Sequence, residues 1–278
     1  MNAGHEGKRT ERKSHGAGGL VAIGAGCATV TSAHPDPDNN QRMTEHDKPQ
    51  AVLIHGAGAG GWEWTIWQRV FVAHGWNVLA PDLAPAHGGL AATRIEDYAG
   101  QVAAWCDVSK PPALLAGASL GGLLALIVAV RVLPAALVLV NPLPPVGIEP
   151  RPAPRDYADI VPWESRRSLR STQRALPDGD DAARLFAFRR WRDESGAVLR
   201  DACAGIAVDA PRCPVLVLAS EQDDQCSMSG SAALAVHLRA DFRLLRGASH
   251  LGPLLGRDAA TKAEDALRWC ADQRALAR

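Results

Sequence analysis

The stretch 113–132, ALLAGASLGGLLALIVAVRV, decides the fold. Its first part, ALLAGAS (113–119), is a short apolar run that suits a strand buried on both faces. Its second part, Leu120 to Val132, is apolar on all sides and predicts a buried helix. At the junction stands Gly117-Ala118-Ser119-Leu120-Gly121, a G-x-S-x-G pentapeptide in the strand–turn–helix setting the motif needs. A turn this tight strains the serine backbone and admits only small residues two places to either side. Gly117 and Gly121 meet that demand, and Gly122 lets the helix pack closely. The turn lifts the hydroxyl above the sheet and aims the helix N-terminus at whatever reacts there. A Gly-rich turn with an incidental serine is the plainer explanation, and the flanking strand and helix argue against it.

Outward from this turn the same alternation repeats. AVLIHG (51–56) reads as a first buried strand, and residues 62–74 follow with Ile66, Trp67, Val70 and Phe71 on one helical face. NVLAPD (77–82) is a second strand. Thr93 with Glu96 three places on reads as a capping box opening a helix that carries Ile95, Tyr98, Val102 and Trp105. ALVLVNP (136–142), PVLVLAS (214–220) and FRLLRG (242–247) complete about six strands, with helices at about 229–238 and 258–271. Continuous apolar strands alternating with helices predict an α/β fold: a predominantly parallel sheet with helices on both faces. Residues 143–210 break the rhythm. They are rich in Pro and Arg, have no clear strand, and carry short helical patterns near 163–176 and 181–192. They read as a small helical cap inserted after the fourth strand.

Residues 1–49 stand apart. They are polar, Gly-rich and aperiodic, and read as a disordered tail or an overextended start, since Met43 begins a more ordinary sequence. Lys8, Arg9, Arg12 and Lys13 before the weakly apolar 20–33 stretch resemble an export signal only loosely, so a cytoplasmic location is expected, with export as the alternative. The formal net charge of 0 gives no reason to expect nucleic acid as a partner. No run of about 20 apolar residues exists, so no membrane span is expected. The six cysteines include no C-x-x-C pair, so free thiols are expected and no metal site, with one or two disulfides as the alternative if the protein is exported.

A serine hydroxyl needs a base. Of nine histidines, His250 in GASHLGP (247–253) follows the last strand in a Gly-flanked loop at the right edge of the sheet. His74 and His237 fall on helices, His87 is a weaker loop competitor, and His55 is read as shaping the loop after the first strand. The imidazole in turn needs an acid to fix its tautomer. SEQDDQCS (220–227), after the fifth strand, offers Asp223, with Asp224 in reserve and Glu221 beside them. A developing oxyanion needs two donors. The Leu120 amide is one, and the Gly-rich loop HGAGAGGW (55–62) offers the Ala57 amide as the other. Gly56, Gly58 and Gly61 also fit the spacing of a dinucleotide loop, but such a site leaves the Ser, Asp and His loops unexplained. The order Ser119, Asp223, His250 is that of the hydrolase triad built on this type of sheet.

HGAGAGGWEW (55–64), LAPDL (79–83), GASLGG (117–122), PVLVLASEQDD (214–224) and GASHLGP (247–253) together resemble the α/β-hydrolase superfamily over about residues 50–278. The branch most similar is that of bacterial esterase-like proteins and plant methylesterases and hydroxynitrile lyases. The resemblance implies a lidded site, a cofactor-free acyl-enzyme mechanism on a small-molecule substrate, and oxyanion donors at Ala57 and Leu120. GASLGG has Ala118 where many members have His, a side chain outside the triad. The expected chemistry is cleavage of a carboxylic ester or lactone. A lyase, carbon–carbon hydrolase or acyltransferase with the same triad is the alternative, as is a non-catalytic ligand sensor. Haloalkane or epoxide hydrolysis wants a carboxylate where Ser119 stands. Tyr157, Trp163, Phe186, Phe188 and Trp191 are candidate cap residues lining the substrate site, and the Arg residues between 166 and 192 read as solvated helix faces.

Overall fold

A computed structural model describes residues 48–106 and 109–276 of the chain. The tail and its export-like segment lie outside the described residues. The elements run β1 (Gln50–Ile54), α1 (Thr65–Ala73), β2 (Asn77–Leu79), α2 (Ile95–Ala104), β3 (Leu114–Ala118), α3 (Leu120–Val132) and β4 (Leu137–Val140). The cap follows, with β5 (Ile160–Val161), α4 (Leu169–Ala175), α5 (Asp181–Phe188), β6 (Glu194–Ser195) and α6 (Gly196–Ala204). The core then resumes with β7 (Val215–Gln222), α7 (Met228–Leu238), β8 (Asp241–Ser249), α8 (Gly252–Leu255) and α9 (Ala259–Leu276).

Six strands form one sheet in the order β2-β1-β3-β4-β7-β8, parallel throughout. Side chains alternate between its faces. Ala51, Leu53, Leu114, Ala116, Val138 and Leu216 pack with Trp64, Trp67 and Phe71 on one side. Val52, Ile54, Leu115, Leu139 and Val217 pack with the apolar shell of α2 and α3 on the other. Burial on both faces is why these strands read as unbroken apolar runs. The chain order reverses between β1 and β3, where Ile54 pairs with Gly117. Diverging loops leave a crevice at such a switch point, at the carboxyl ends of the strands.

Three local expectations need correction. The second strand is three residues long and not six, because Asp82 leaves the sheet edge to accept from the Gly61 N–H (2.7 Å). Thr93 is not a helix cap: its buried hydroxyl accepts from the Ala86 N–H and donates to the Gly89 carbonyl, closing the loop before α2. Asp97 instead reaches back to the Arg94 N–H (2.8 Å). The cap is not purely helical either. β5 and β6 pair antiparallel, Ile160 opposite Ser195, and α6 adds a third helix that packs against α2. The five described cysteines are free thiols, and no described helix is long and apolar enough to cross a membrane.

Candidate functional site

Four loops meet above the carboxyl edge of the sheet. Ser119 ends β3 with φ 53° and ψ −118°, a left-handed conformation that is strained for a side-chain-bearing residue. The surrounding glycines are forced by contact. A Cβ on Gly117 would lie 2.0 Å from the Gly121 carbonyl oxygen, and one on Gly121 would lie 2.2 Å from that of Ile54. The Ser119 N–H still bonds to Val140 of the neighbouring strand (3.0 Å), so the bend begins without losing the sheet bond. Leu120 opens α3, and its N–H has no acceptor among the described residues.

Asp223 and His250 arrive from the two strands beyond. The His250 Nδ1–H donates to Asp223 Oδ2 at 2.7 Å. The other carboxylate oxygen, Oδ1, accepts from the N–H groups of Gln225 (2.8 Å) and Cys226 (2.9 Å), which fixes the acid in its turn. The bond at Nδ1 sets the tautomer, so Nε2 carries the lone pair on a ring that lines the same cavity as Ser119. Burial alone pushes the His250 pKa down, but the bond to and charge of Asp223, with Glu63 and Asp224 adding, outweigh it, and the net shift is upward. Asp224 makes no bond to the ring, and Glu221 is occupied with the Gly247 N–H at 2.9 Å.

Asn141, at the end of β4, ties these loops together. It accepts from the Ser220 N–H (2.7 Å) and donates to the Ser220 hydroxyl and the His250 carbonyl (2.8 Å). The buried Cys226 thiol is a neighbour of Ser119, and burial drives its pKa well up. No bond joins the Ser119 hydroxyl to His250 among the described residues. Asp223, Cys226 and His250 are also close enough together to suggest metal ligands. The geometry argues otherwise: the facing Asp and His atoms are spent on each other.

The loop after β1 forms the remaining wall. His55 donates from Nδ1 to the Gly56 carbonyl and accepts at Nε2 from the Leu83 N–H (2.9 Å). Burial lowers its pKa to about 4, so it stays a neutral strut, as its loop position suggested. Two buried carboxyls then claim alternate amides. Glu63 accepts from the Gly56 N–H (3.0 Å) and Glu194 from the Gly58 N–H (2.9 Å). Between them the Ala57 N–H has no acceptor among the described residues. The cap locks the loop from above. Arg192 donates its backbone N–H to the Gly58 carbonyl (2.8 Å), and the Trp163 ring lies so close that a Cβ on Gly58 would approach it to 2.2 Å.

The cavity enclosed is about 70 Å³ and includes Ala57, Glu63, Ser119, Trp163, Trp191 and His250 in its lining. It adjoins a more open cleft of about 330 Å³ under the cap, which shares Ala57, Trp163, Trp191 and Gln225 and adds Arg166 and Thr172. Trp163 and Trp191 therefore line the cavity that holds Ser119. Phe186 does not: its ring is 5.9 Å from that of Trp62, lies under the Arg190 guanidinium, and lines a separate surface groove with Ile66 and Leu255. Tyr157 and Phe188 also fall outside the lining, Tyr157 beside Cys203 and Phe188 beneath Arg167. The sequence reading missed Glu63, Asn141, Glu194 and Cys226. Only Cys226 left a signal, as the residue closing the acidic turn that holds Asp223.

A sequence profile described as the alpha/beta hydrolase family matches residues 51–264, which includes every loop just described. The chain belongs to that family. No curated protein matches the sequence. Among solved structures, the chain of this α/β hydrolase is similar to a methylesterase from Arabidopsis (13% identity, TM-score 0.62, 80% of this chain and 99% of that one). It is also similar to a pyrethroid hydrolase from Sphingobium faniae JZ-2 (20% identity, TM-score 0.62, 80% and 97%). A third likeness is to one of the metagenome-derived lipolytic enzymes LipS and LipT (17% identity, TM-score 0.59, 81% and 94%). At these identities the likeness is one of fold.

Proposed function

We propose that this α/β hydrolase is a serine hydrolase that cleaves a carboxylic ester or lactone through an acyl-enzyme, with Ser119 as nucleophile, His250 as general base and Asp223 as the acid that orients it. The observation that carries this reading is the 2.7 Å bond from His250 Nδ1 to Asp223, on a ring that shares a cavity with a strained, turn-borne Ser119.

Rotation about the Ser119 Cα–Cβ bond brings the hydroxyl towards Nε2. His250 accepts the hydroxyl proton as Oγ bonds to the carbonyl carbon. The oxygen that becomes negative is held by the N–H groups of Ala57 and Leu120, two donors with no other acceptor among the described residues. The imidazolium returns its proton to the alkoxide as the carbon–oxygen bond breaks, and the alcohol leaves by the open cleft under the cap. Water then repeats the attack, giving its proton to His250, which passes it to Ser119 Oγ as the carbon–Oγ bond breaks and the acid is released. Asp223 stays ionised throughout and stabilises the imidazolium. Trp163 and Trp191 bound the substrate from above.

Ser119→Ala lowers the turnover of a p-nitrophenyl ester by about 10⁴-fold or more, read as p-nitrophenolate release. Full activity in that variant overturns the nucleophile assignment.

A further inference from the structure

The cavity that holds Ser119 has one buried carboxyl that the proposed chemistry does not use. Glu63 is 1% exposed, in the 3-10 turn Gly61–Trp64 just before α1. Its Oε1 accepts from the Gly56 N–H, and its side chain lines the cavity among Val140, Leu251, Leu254 and two tryptophans. No second hydrogen bond to the carboxyl appears among the described residues. Burying a carboxyl in such a wall is costly unless its remaining acceptor finds a donor. Burial raises its pKa to about 7 against the opposing Gly56 bond. The protein gives Glu63 no donor, so the donor comes from whatever enters the cavity.

We propose that Glu63 is a specificity-determining residue that accepts a hydrogen bond from a free hydroxyl on the acyl part of the substrate, so that the preferred substrate is an ester of a short hydroxy acid. This deepens, and rests on, the serine-hydrolase reading above. The geometry assigns the acyl part to this cavity because it is the enclosed one, at about 70 Å³, while the cleft of about 330 Å³ beside it is open for a leaving alcohol. The small volume limits the acyl group to a few carbons, and a Cβ on Gly56 would lie 3.4 Å from Ser119 Cβ and 3.6 Å from Glu63 Oε1, which puts the carboxyl within a few atoms of the acylated serine. Ser119, His250 and Gln225 apart, the neighbouring lining is apolar, and Val140, Leu251 and Leu254 offer such a hydroxyl no acceptor.

The test compares methyl 3-hydroxybutanoate with methyl 3-methylbutanoate, in which a methyl group replaces the hydroxyl at nearly the same size. The ratio of their kcat/KM values is corrected by the ratio of their rates with hydroxide. A hydrogen bond to a buried carboxyl corresponds to a preference of about tenfold to a hundredfold for the hydroxy ester. Glu63→Gln keeps an oxygen for the Gly56 N–H but turns an NH₂ donor towards the substrate. The corrected ratio then falls at least fivefold, through KM more than through kcat. A wild-type ratio near 1 overturns the inference, as does an equal loss on both esters in Glu63→Gln, which marks a role in holding the Gly56 loop or a water. Failure to cleave either methyl ester, in protein that cleaves p-nitrophenyl acetate, overturns it too. If the variant does not fold, the wild-type ratio alone decides. Loss of p-nitrophenyl acetate cleavage itself, with Ser119 unreactive towards a fluorophosphonate, is instead the failure of the serine-hydrolase reading.

Discussion

At the scale of single residues the site is a set of acids arranged around one buried imidazole. Three negative or ionisable groups raise the His250 pKa: Asp223 through its bond and charge, then Glu63, then the more exposed Asp224. The base works only when neutral, so kcat/KM rises with pH along a limb that reports this ring. Its midpoint is expected above the ordinary imidazole value of about 6.5. The sign for Glu63 follows. A carboxylate there favours the imidazolium, so Glu63→Gln removes that support and moves the limb to lower pH. A pH–rate profile of the two proteins on one unsubstituted ester checks the direction, and a limb that stays put or moves to higher pH contradicts it. Asp223 is a separate case, because its two oxygens accept three bonds and its loss also frees the turn that carries Cys226.

At the scale of elements, the segment before and through β6 connects the cap to the loop after β1. Glu194 accepts from the Gly58 N–H with one oxygen and from the Tyr98 hydroxyl (2.8 Å) and Ser195 N–H with the other. Two positions earlier, Arg192 bonds the Gly58 carbonyl by its backbone and pairs with Asp82 (3.3 Å) by its side chain. The Ala57 amide is thus aimed by a residue of the cap. Glu194→Ala releases Gly58 and lowers kcat by about 10- to 100-fold with a smaller change in KM, because displacement by as little as 1 Å is costly in a positioned site. Steady-state kinetics on a short p-nitrophenyl ester read this split, and an unchanged kcat refutes the clamp. None of this clamp was legible in the sequence. β5 and β6 are two residues each, too short for any periodicity, and Glu194 is buried by Tyr98 and Gly58, far away along the chain. The sheet was legible because β1, β3, β4 and β7 are covered on both faces, whereas β2, an edge strand, was read too long. Ser119, Asp223 and His250 were legible for a similar reason, since each follows directly on a strand whose end is sharply marked by Gly or polar residues. Phe186 was not, because facing the cap from a helix does not reveal which side of the cap a ring packs on.

At the scale of the whole described structure, the sheet's switch point, the cap and the β1 loop act as one frame. β3 and β1 bring the turn and the amide loop side by side, β7 and β8 bring the acid and base from the other side, and Asn141 bonds the ends of β4, β7 and β8 across the middle. Everything proposed for the reaction depends on a serine hydroxyl in that frame being made nucleophilic by the imidazole beside it. A fluorophosphonate probe measures this most directly, with intact mass and peptide mapping as the readout. The account predicts one label per chain, on the peptide carrying Ser119, absent in Ser119→Ala and at least 100-fold slower in His250→Ala. Folded protein that takes no label, or a Ser119→Ala variant that is labelled as fast as the wild type, contradicts it.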